Sequence, residues 1–265
     1  MNSTLKKKKQ NIKYEDYYLC YFDILGYKEL FEREEDKHKE VLLELCGIFQ
    51  TIEQEIEFKI AISDIQYRTF SDNVLICINH SKASELDAIK LFCNLMRRIQ
   101  HDLLQKYKIL LRGGVTKGKF YMDNSMVSGK GLIDVVELEA KKAIYPRVII
   151  DQKKIGLEAV QELCNQDKLI KDEDGEYYID YLFGNEDVEL TRESCKALVA
   201  QHGKYHHGVK DVEKINKTKN IINKLIWLLV YYKRQCKKYG LDGQDIKYDL
   251  KINERLCTIE IHLRK

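Results

Sequence analysis

Two apolar runs of strand length, each interrupted by an aspartate, limit most sharply what this chain can become. Tyr18 to Phe22 are continuously apolar and aromatic until Asp23, and Ile24 to Tyr27 follow at once. Val74 to Ile78 form a second run, which begins just past Ser71-Asp72-Asn73. Runs of this length read as buried strands, and the Ser-Asp-Asn tripeptide reads as a turn. Taken singly, Asp23 fits a helix N-cap and Asp72 a turn residue. Together, at the ends of two core strands, they present two ionised carboxylates that are costly to bury alone. A pair of divalent cations holding a phosphate-bearing substrate answers that cost.

Between and after these runs the period changes from strand to helix. Residues 25–34 read as a short helix with Leu25, Leu30 and Phe31 as its apolar side. Residues 37–58 read as a longer one, with Val41, Leu42, Leu45, Ile48, Phe49, Ile52 and Ile56 at helical spacing. Strands are expected at 60–70 and 73–79, a helix at 83–106, a strand from Ile109 to Thr116, a helix from Leu132 to Ala143 and a strand from Val148 to Ile150. Helix-separated strands around one hairpin predict an α+β fold of the ferredoxin-like or palm type, with helices over one face of a mostly antiparallel sheet. In such a sheet the end of the first strand lies beside the hairpin turn, which brings Asp23 to Asp72. Further on, Leu169 to Leu182 predict a hairpin turning at Asp174-Gly175. Residues 209–237 predict a long helix with Ile215, Ile222, Ile226, Leu229 and Val230 in the core. The organisation expected is a polar tail at 1–16, a core at 17–151 and a mainly helical extension at 152–265.

Composition narrows the class. With 44% hydrophobic and 33% charged residues the chain is globular, and a net charge of +3 does not mark it as a nucleic-acid or membrane binder. Lys6 to Lys9 read as a solvated end with no apolar stretch behind it, so no leader peptide is expected. Ile221 to Tyr232 are too few to span a bilayer and are interrupted by Asn223 and Lys224. The eight cysteines include no C-x-x-C pair and several sit among apolar residues, which suits free thiols in a reducing cytoplasm.

Other motifs are weaker. The loop Ile24-Leu25-Gly26-Tyr27 opens a helix, and its backbone N–H groups can receive phosphate oxygens; a plain strand-to-helix turn reads equally well. Arg112-Gly113-Gly114-Val115-Thr116-Lys117-Gly118 is glycine-rich but not a P-loop. Arg112 and, less well, Lys117 can supply positive charge to a triphosphate, against the plainer reading of close strand–helix packing. Tyr67, near the hairpin, is a candidate wall for a small base pocket. Asp172 to Gly175 fail as a calcium loop because the position two residues before Asp172 is Ile170. His202, His206 and His207, beside Gly203 and Gly208, read as a surface cluster rather than a metal site.

The stretches Phe22 to Tyr27, Phe70-Ser71-Asp72-Asn73 and Leu111 to Gly118 resemble class III nucleotidyl cyclases. Gly129, Leu132 and Glu137-Leu138-Glu139, with Ala143-Ile144-Tyr145-Pro146-Arg147-Val148-Ile149, resemble the Pycsar pyrimidine nucleotide cyclases of bacterial anti-phage defence. Asp174 to Tyr177 and Ile226-Trp227-Leu228 are similar to that family's C-terminal portion, so the resemblance covers most of residues 17–235. It implies a βααββαβ class III cyclase core acting as a homodimer with sites at the interface. It implies two Mg²⁺ or Mn²⁺ ions on Asp23, Asp72 and the Ile24 carbonyl, and a triphosphate held by Ile24, Leu25, Gly26 and Tyr27. The implied reaction turns CTP or UTP into the 3′,5′-cyclic monophosphate and pyrophosphate, an alarm signal read by a separate effector protein. Purine cyclases of the class carry an asparagine and an arginine where this chain has Ile133 and Glu137, and the glutamate matches the pyrimidine branch. Two other readings stand beside it: a cyclase-like module that senses nucleotide without turnover, and a palm enzyme making cyclic di- or oligonucleotides.

Overall fold

The computed structural model describes residues 12–52, 65–202, 204–205, 212–241, 248–253 and 258–263. The chain begins with β1 (Glu15–Ile24), α1 (Tyr27–Arg33), α2 (Glu35–Ile52), β2 (Ile65–Phe70), β3 (Asn73–Asn79), α3 (Glu85–Asp102) and β4 (Leu111–Met122). This is the predicted βααββαβ order. The first four strands lie in the spatial order β2-β3-β1-β4, all antiparallel, the split arrangement of a ferredoxin-like or palm sheet. The short β5 (Val127–Ser128) pairs back on β4. After α4 (Lys130–Lys142), β6 (Val148–Ile150) adds to β4 in parallel.

The C-terminal residues continue the same sheet. Past α5 (Leu157–Asn165), the hairpin of β7 (Leu169–Lys171) and β8 (Tyr177–Ile179) joins β6 through β8, and Gly175 turns it at φ 87°. Then come α6 (Asn185–His202), β9 (Lys204–Tyr205), α7 (Val212–Lys238), β10 (Tyr248–Asn253) and β11 (Thr258–Leu263). The last two strands and β9 form a separate small sheet. The expected strand residues 60–64, helix residues 53–58 and 209–211, His206 and His207 lie outside the described residues.

Helices cover both faces of the large sheet, not one. Tyr18, Cys20, Phe22 and Ile24 of β1 pack with Leu30 of α1, Val41, Leu45 and Ile48 of α2, the apolar stripe of α3, and Val160 of α5. The alternate residue Leu19 packs the other way, with Leu75, Cys77, Phe120 and Val135 of α4. Period-two alternation sends successive residues to opposite faces, and the buried run of β1 therefore needs cover on both. Glycines 114 and 118 allow α4 to lie close on β4. A Cβ at Gly114 would stand 2.8 Å from the Leu138 side chain, and one at Gly118 2.8 Å from the Gly131 Cα. The glycine-rich strand is thus accounted for by close helix packing. Beyond it, α6 and α7 enclose a second apolar cluster with Ile149, Tyr178, Tyr181 and Leu182.

Candidate active site

Asp23 belongs to β1 itself, and Gly26, at φ 79°, stands at the N-cap of α1 without a side-chain cap. The capping explanation for Asp23 therefore falls away. Asp23 lies opposite Asn73 of β3 on one side and Arg112 of β4 on the other. Asp72 occupies the two-residue turn before β3, where Ser71 takes φ 58° and the Asp72 carbonyl accepts from the Ile24 amide at 2.9 Å. The two carboxylates consequently meet at one end of the sheet, and each is close enough for Asp72 to raise the Asp23 pKa.

The surrounding hydrogen bonds fix this end of the sheet. The Tyr21 hydroxyl donates to Asn73 Oδ1 at 2.5 Å, and Asn73 Nδ2 donates to Asp72 Oδ1 at 2.9 Å. Arg112 Nε donates to Asp23 Oδ2 at 3.3 Å and pairs with Glu139 Oε1 at 2.5 Å. Glu139 sits in the buried stripe of α4 with Gly131, Val135 and Leu138. The ammonium of Lys224, from α7, is within electrostatic reach of Arg112, Asp23 and Glu139. Three carboxylates and two cations thus converge here.

Burial dominates the protonation behaviour. It pushes the Asp23 carboxyl up, with Arg112 opposing and Asp72 adding to the rise. It pushes Glu139 up as well, against Arg112, and lifts Tyr21 to about 12 with help from Glu139, Asp23 and Asp72. Burial lowers Lys224. An arriving cation relieves the first two penalties directly. The donors on offer, two carboxylates and a carbonyl, are hard oxygens of the kind Mg²⁺ and Mn²⁺ take. No group of three or more His, Cys, Asp or Glu side chains arranged to hold a metal occurs among the described residues, so a backbone oxygen such as that of Ile24 would have to contribute.

The phosphate loop is partly committed to the fold. The Ile24 and Leu25 amides donate to the carbonyls of Asp72 and Leu110, both at 2.9 Å. The next two amides, of Gly26 and Tyr27, donate to no backbone carbonyl among the described residues outside helices and strands, and they remain open to an anion.

Two candidates are not brought to the aspartates. Lys117 is five residues along β4 from Arg112, about 17 Å at strand rise, and on the other face. It lies opposite Tyr18, with its ammonium 5.3 Å from that ring and 3.5 Å from Glu85. Tyr67 is opposite Ile76, on the face of the α1–α3 core, while Asp23 shares its face with Phe70 and Arg68. Tyr67 does line a cavity of about 610 Å³, with Arg68, Thr69, Met122 and Asp123. The sequence reading missed Glu139 and Lys224. The available signal was a charge inside an apolar helical stripe, at Gly131-Val135-Leu138-Glu139 and again at Ile221-Lys224-Leu225-Leu228.

No family model and no curated protein matches the chain. Among solved structures it is similar to the catalytic core of a rhodopsin-guanylyl cyclase with converted specificity in complex with ATPalphaS. The TM-score is 0.44 at 15% identity, over 64% of this chain and 98% of that one. A class III adenylyl cyclase-like ATP-binding protein from Pseudomonas aeruginosa matches at TM-score 0.42 and 13% identity, over 68% of this chain and 41% of that one. An adenylate/guanylate cyclase/hydrolase from Silicibacter pomeroyi matches at 0.39 and 15%, over 63% and 95%. The fold itself is α+β, with a palm-type sheet carrying a carboxylate pair at the end of its central strand. No helix among the described residues is long and apolar enough to cross a membrane.

Proposed function

We propose that the protein is a nucleotide cyclase that converts CTP or UTP to the 3′,5′-cyclic monophosphate and pyrophosphate. The observation that carries this reading is the convergence of Asp23 and Asp72 beside the Ile24 carbonyl, on the strand order that the sequence resemblance implies. Mg²⁺ or Mn²⁺, two ions held by Asp23, Asp72 and that carbonyl, would acidify the ribose 3′-hydroxyl and neutralise the triphosphate.

The remaining chemistry belongs to the chain. The Tyr21–Asn73 relay holds the Asp72 carboxylate in one orientation. The Gly26 and Tyr27 amides receive phosphate oxygens. Glu139 holds the Arg112 guanidinium beside Asp23 without letting it close on that carboxylate, and so stores a cation where phosphate charge develops in the reaction. Ile133 and Glu137 are exposed on α4, Glu137 paired at 3.3 Å with Lys141 of the same helix, and both face outward where a second copy of the chain would pack in a homodimer. Their apolar and acidic character in place of an asparagine and an arginine supports a pyrimidine rather than a purine triphosphate. The product would serve as an alarm in anti-phage defence, read by a separate cytoplasmic effector.

The test is product analysis by mass spectrometry after incubation with each of the four NTPs and Mn²⁺. A cyclic mononucleotide from CTP or UTP, abolished in Asp23→Ala and Asp72→Ala, is expected. Nucleotide binding without pyrophosphate release would replace the reading with a sensing module, and cyclic di- or oligonucleotide products with a different palm enzyme.

A further inference from the structure

The long helix α7 crosses the same end of the sheet as the aspartate pair, and its path is pinned on both sides of Lys224. Seven residues before it, Lys217 pairs with Glu29 of α1 at 2.6 Å. Three residues after it, Trp227 Nε1 donates to Asp172 Oδ2 at 2.8 Å. Seven residues are two helical turns, about 10 Å, so Lys217 and Lys224 share one face of α7. That face runs from α1, the helix entered through Gly26, toward Asp23 and Glu139. Leu225 and Leu228 are buried in the cluster beneath and fix the helix rotation.

The cations at this end of the sheet are not equivalent. Arg112 is held by two carboxylates, Glu139 at 2.5 Å and Asp23 at 3.3 Å. Lys117 is on the opposite face. Lys224 is half-buried and makes no ion pair within 4 Å and no hydrogen bond among the described residues. An ammonium has three donors and no acceptor, and holding it half-buried without a close partner is unfavourable unless an anion completes its shell. The Gly26 and Tyr27 amides, which open α1, are the other uncommitted donors described above, and α1 is the helix that Lys217 of α7 pairs with. A polyphosphate has oxygens enough to accept from these amides and from an ammonium together.

We infer that Lys224 is a triphosphate-binding residue, supplied to the core by the C-terminal extension. This inference rests on the proposed function for the identity of the substrate, but not for the anion itself. It makes α7 a part of the site and not merely a cover for the sheet. Lys224 acts as a point charge on the non-transferred phosphates and leaves Arg112 to its carboxylates until substrate arrives.

The experiment is calorimetric titration of the full chain with inorganic tripolyphosphate, with and without Mn²⁺, at fixed ionic strength. Lys224→Met keeps the aliphatic stem, and Lys219→Met, at an exposed position of the same helix, lowers the net charge equally. Wild type and Lys219→Met should bind within twofold of each other, and Lys224→Met roughly ten- to a hundredfold more weakly, the range for a charged hydrogen bond. Lys224→Arg should recover part of the loss. Equal binding by Lys224→Met and wild type, an equal loss in Lys219→Met, or no binding by wild type would each overturn the inference. Lys224-dependent binding with no cyclic product from any NTP would leave the inference standing and remove the proposed reaction. A cyclic product undiminished in Lys224→Met, with tripolyphosphate binding intact, would do the reverse.

Discussion

Glu139 holds Arg112 more closely than Asp23 does: the Arg112 Nε is 2.5 Å from the Glu139 carboxylate and 3.3 Å from that of Asp23. The consequence is a competition. A guanidinium released by Glu139 would move onto Asp23 and oppose any cation seeking that carboxylate. Glu139→Gln should therefore weaken Mn²⁺ binding by about tenfold, the equivalent of one charge-assisted contact. Mn²⁺ calorimetry on the two proteins checks this, and unchanged affinity would mean that Arg112 does not contest the seat. Because burial raises both Asp23 and Glu139, Mn²⁺ binding should also fade on acidification earlier than free carboxylates would allow.

Tyr21 controls the second carboxylate at one remove. Its hydroxyl fixes the Asn73 amide, and that amide fixes Asp72. Tyr21→Phe removes a single oxygen and leaves the ring in place between β1 and α4. The expected cost is about 1 kcal/mol of stability, with a severalfold loss of Mn²⁺ affinity. Urea unfolding and a Mn²⁺ titration read the two effects separately. A stability loss with no change in Mn²⁺ affinity would confine the relay to a structural role.

The difference between Asp72 and Lys224 explains what was legible in the sequence. The βααββαβ order follows from local signals, because apolar period and turn residues are properties of contiguous stretches. Given that order, the antiparallel neighbours of β1 are nearly determined, and Asp23 and Asp72 must meet. Lys224 and Glu139 are different. Each shows locally as a charge in an apolar stripe, but the partner that excuses it comes from another element. Lys117 stands apart from the aspartates for a related reason: its residue type suits a phosphate, yet an odd spacing from Arg112 puts it on the other face. The same parity removed Tyr67 from the face of Asp23. Cover on both faces was also readable in principle, since β1 is apolar at successive positions and not at alternate ones.

Asp180 supplies a pH signature independent of the site. It is fully buried, accepts from Tyr231, Gln235 and the Leu182 amide, and burial lifts its carboxyl to about 6 from 3.8. Between those values the folded state binds the proton and the unfolded state does not. Stability from this group is therefore greatest below about pH 4 and is lost as pH rises through 6, by roughly 3 kcal/mol over the whole window. Asp180→Asn cannot titrate. The stability difference between wild type and Asp180→Asn, from urea unfolding at intervals from pH 4 to 7, should shift toward the variant as pH rises. A difference independent of pH would show that the carboxyl is not displaced.

Arg147 ties the C-terminal hairpin to α7 and so bears on the position of Lys224. Its guanidinium is fully buried and pairs with Asp172 and Asp174, while Asp172 also accepts from Trp227 and pairs with Arg234. The Tyr145, Tyr178 and Trp227 rings surround it, with centroids 5.2 to 5.9 Å away. Arg147→Met fits the same aromatic cage but leaves Asp172 buried with fewer counter-charges. Breaking a buried pair from one side costs about 3–5 kcal/mol, and the melting temperature should fall accordingly. Asp172→Asn in the Arg147→Met background should recover part of that loss, because the stranded charge is the source of the cost. If Lys224 reaches its anion through the register that this hub sets, the double variant will be folded yet bind tripolyphosphate severalfold more weakly than wild type. Recovery of stability together with wild-type tripolyphosphate affinity would show instead that Lys217 and the leucine face hold α7 in place without it.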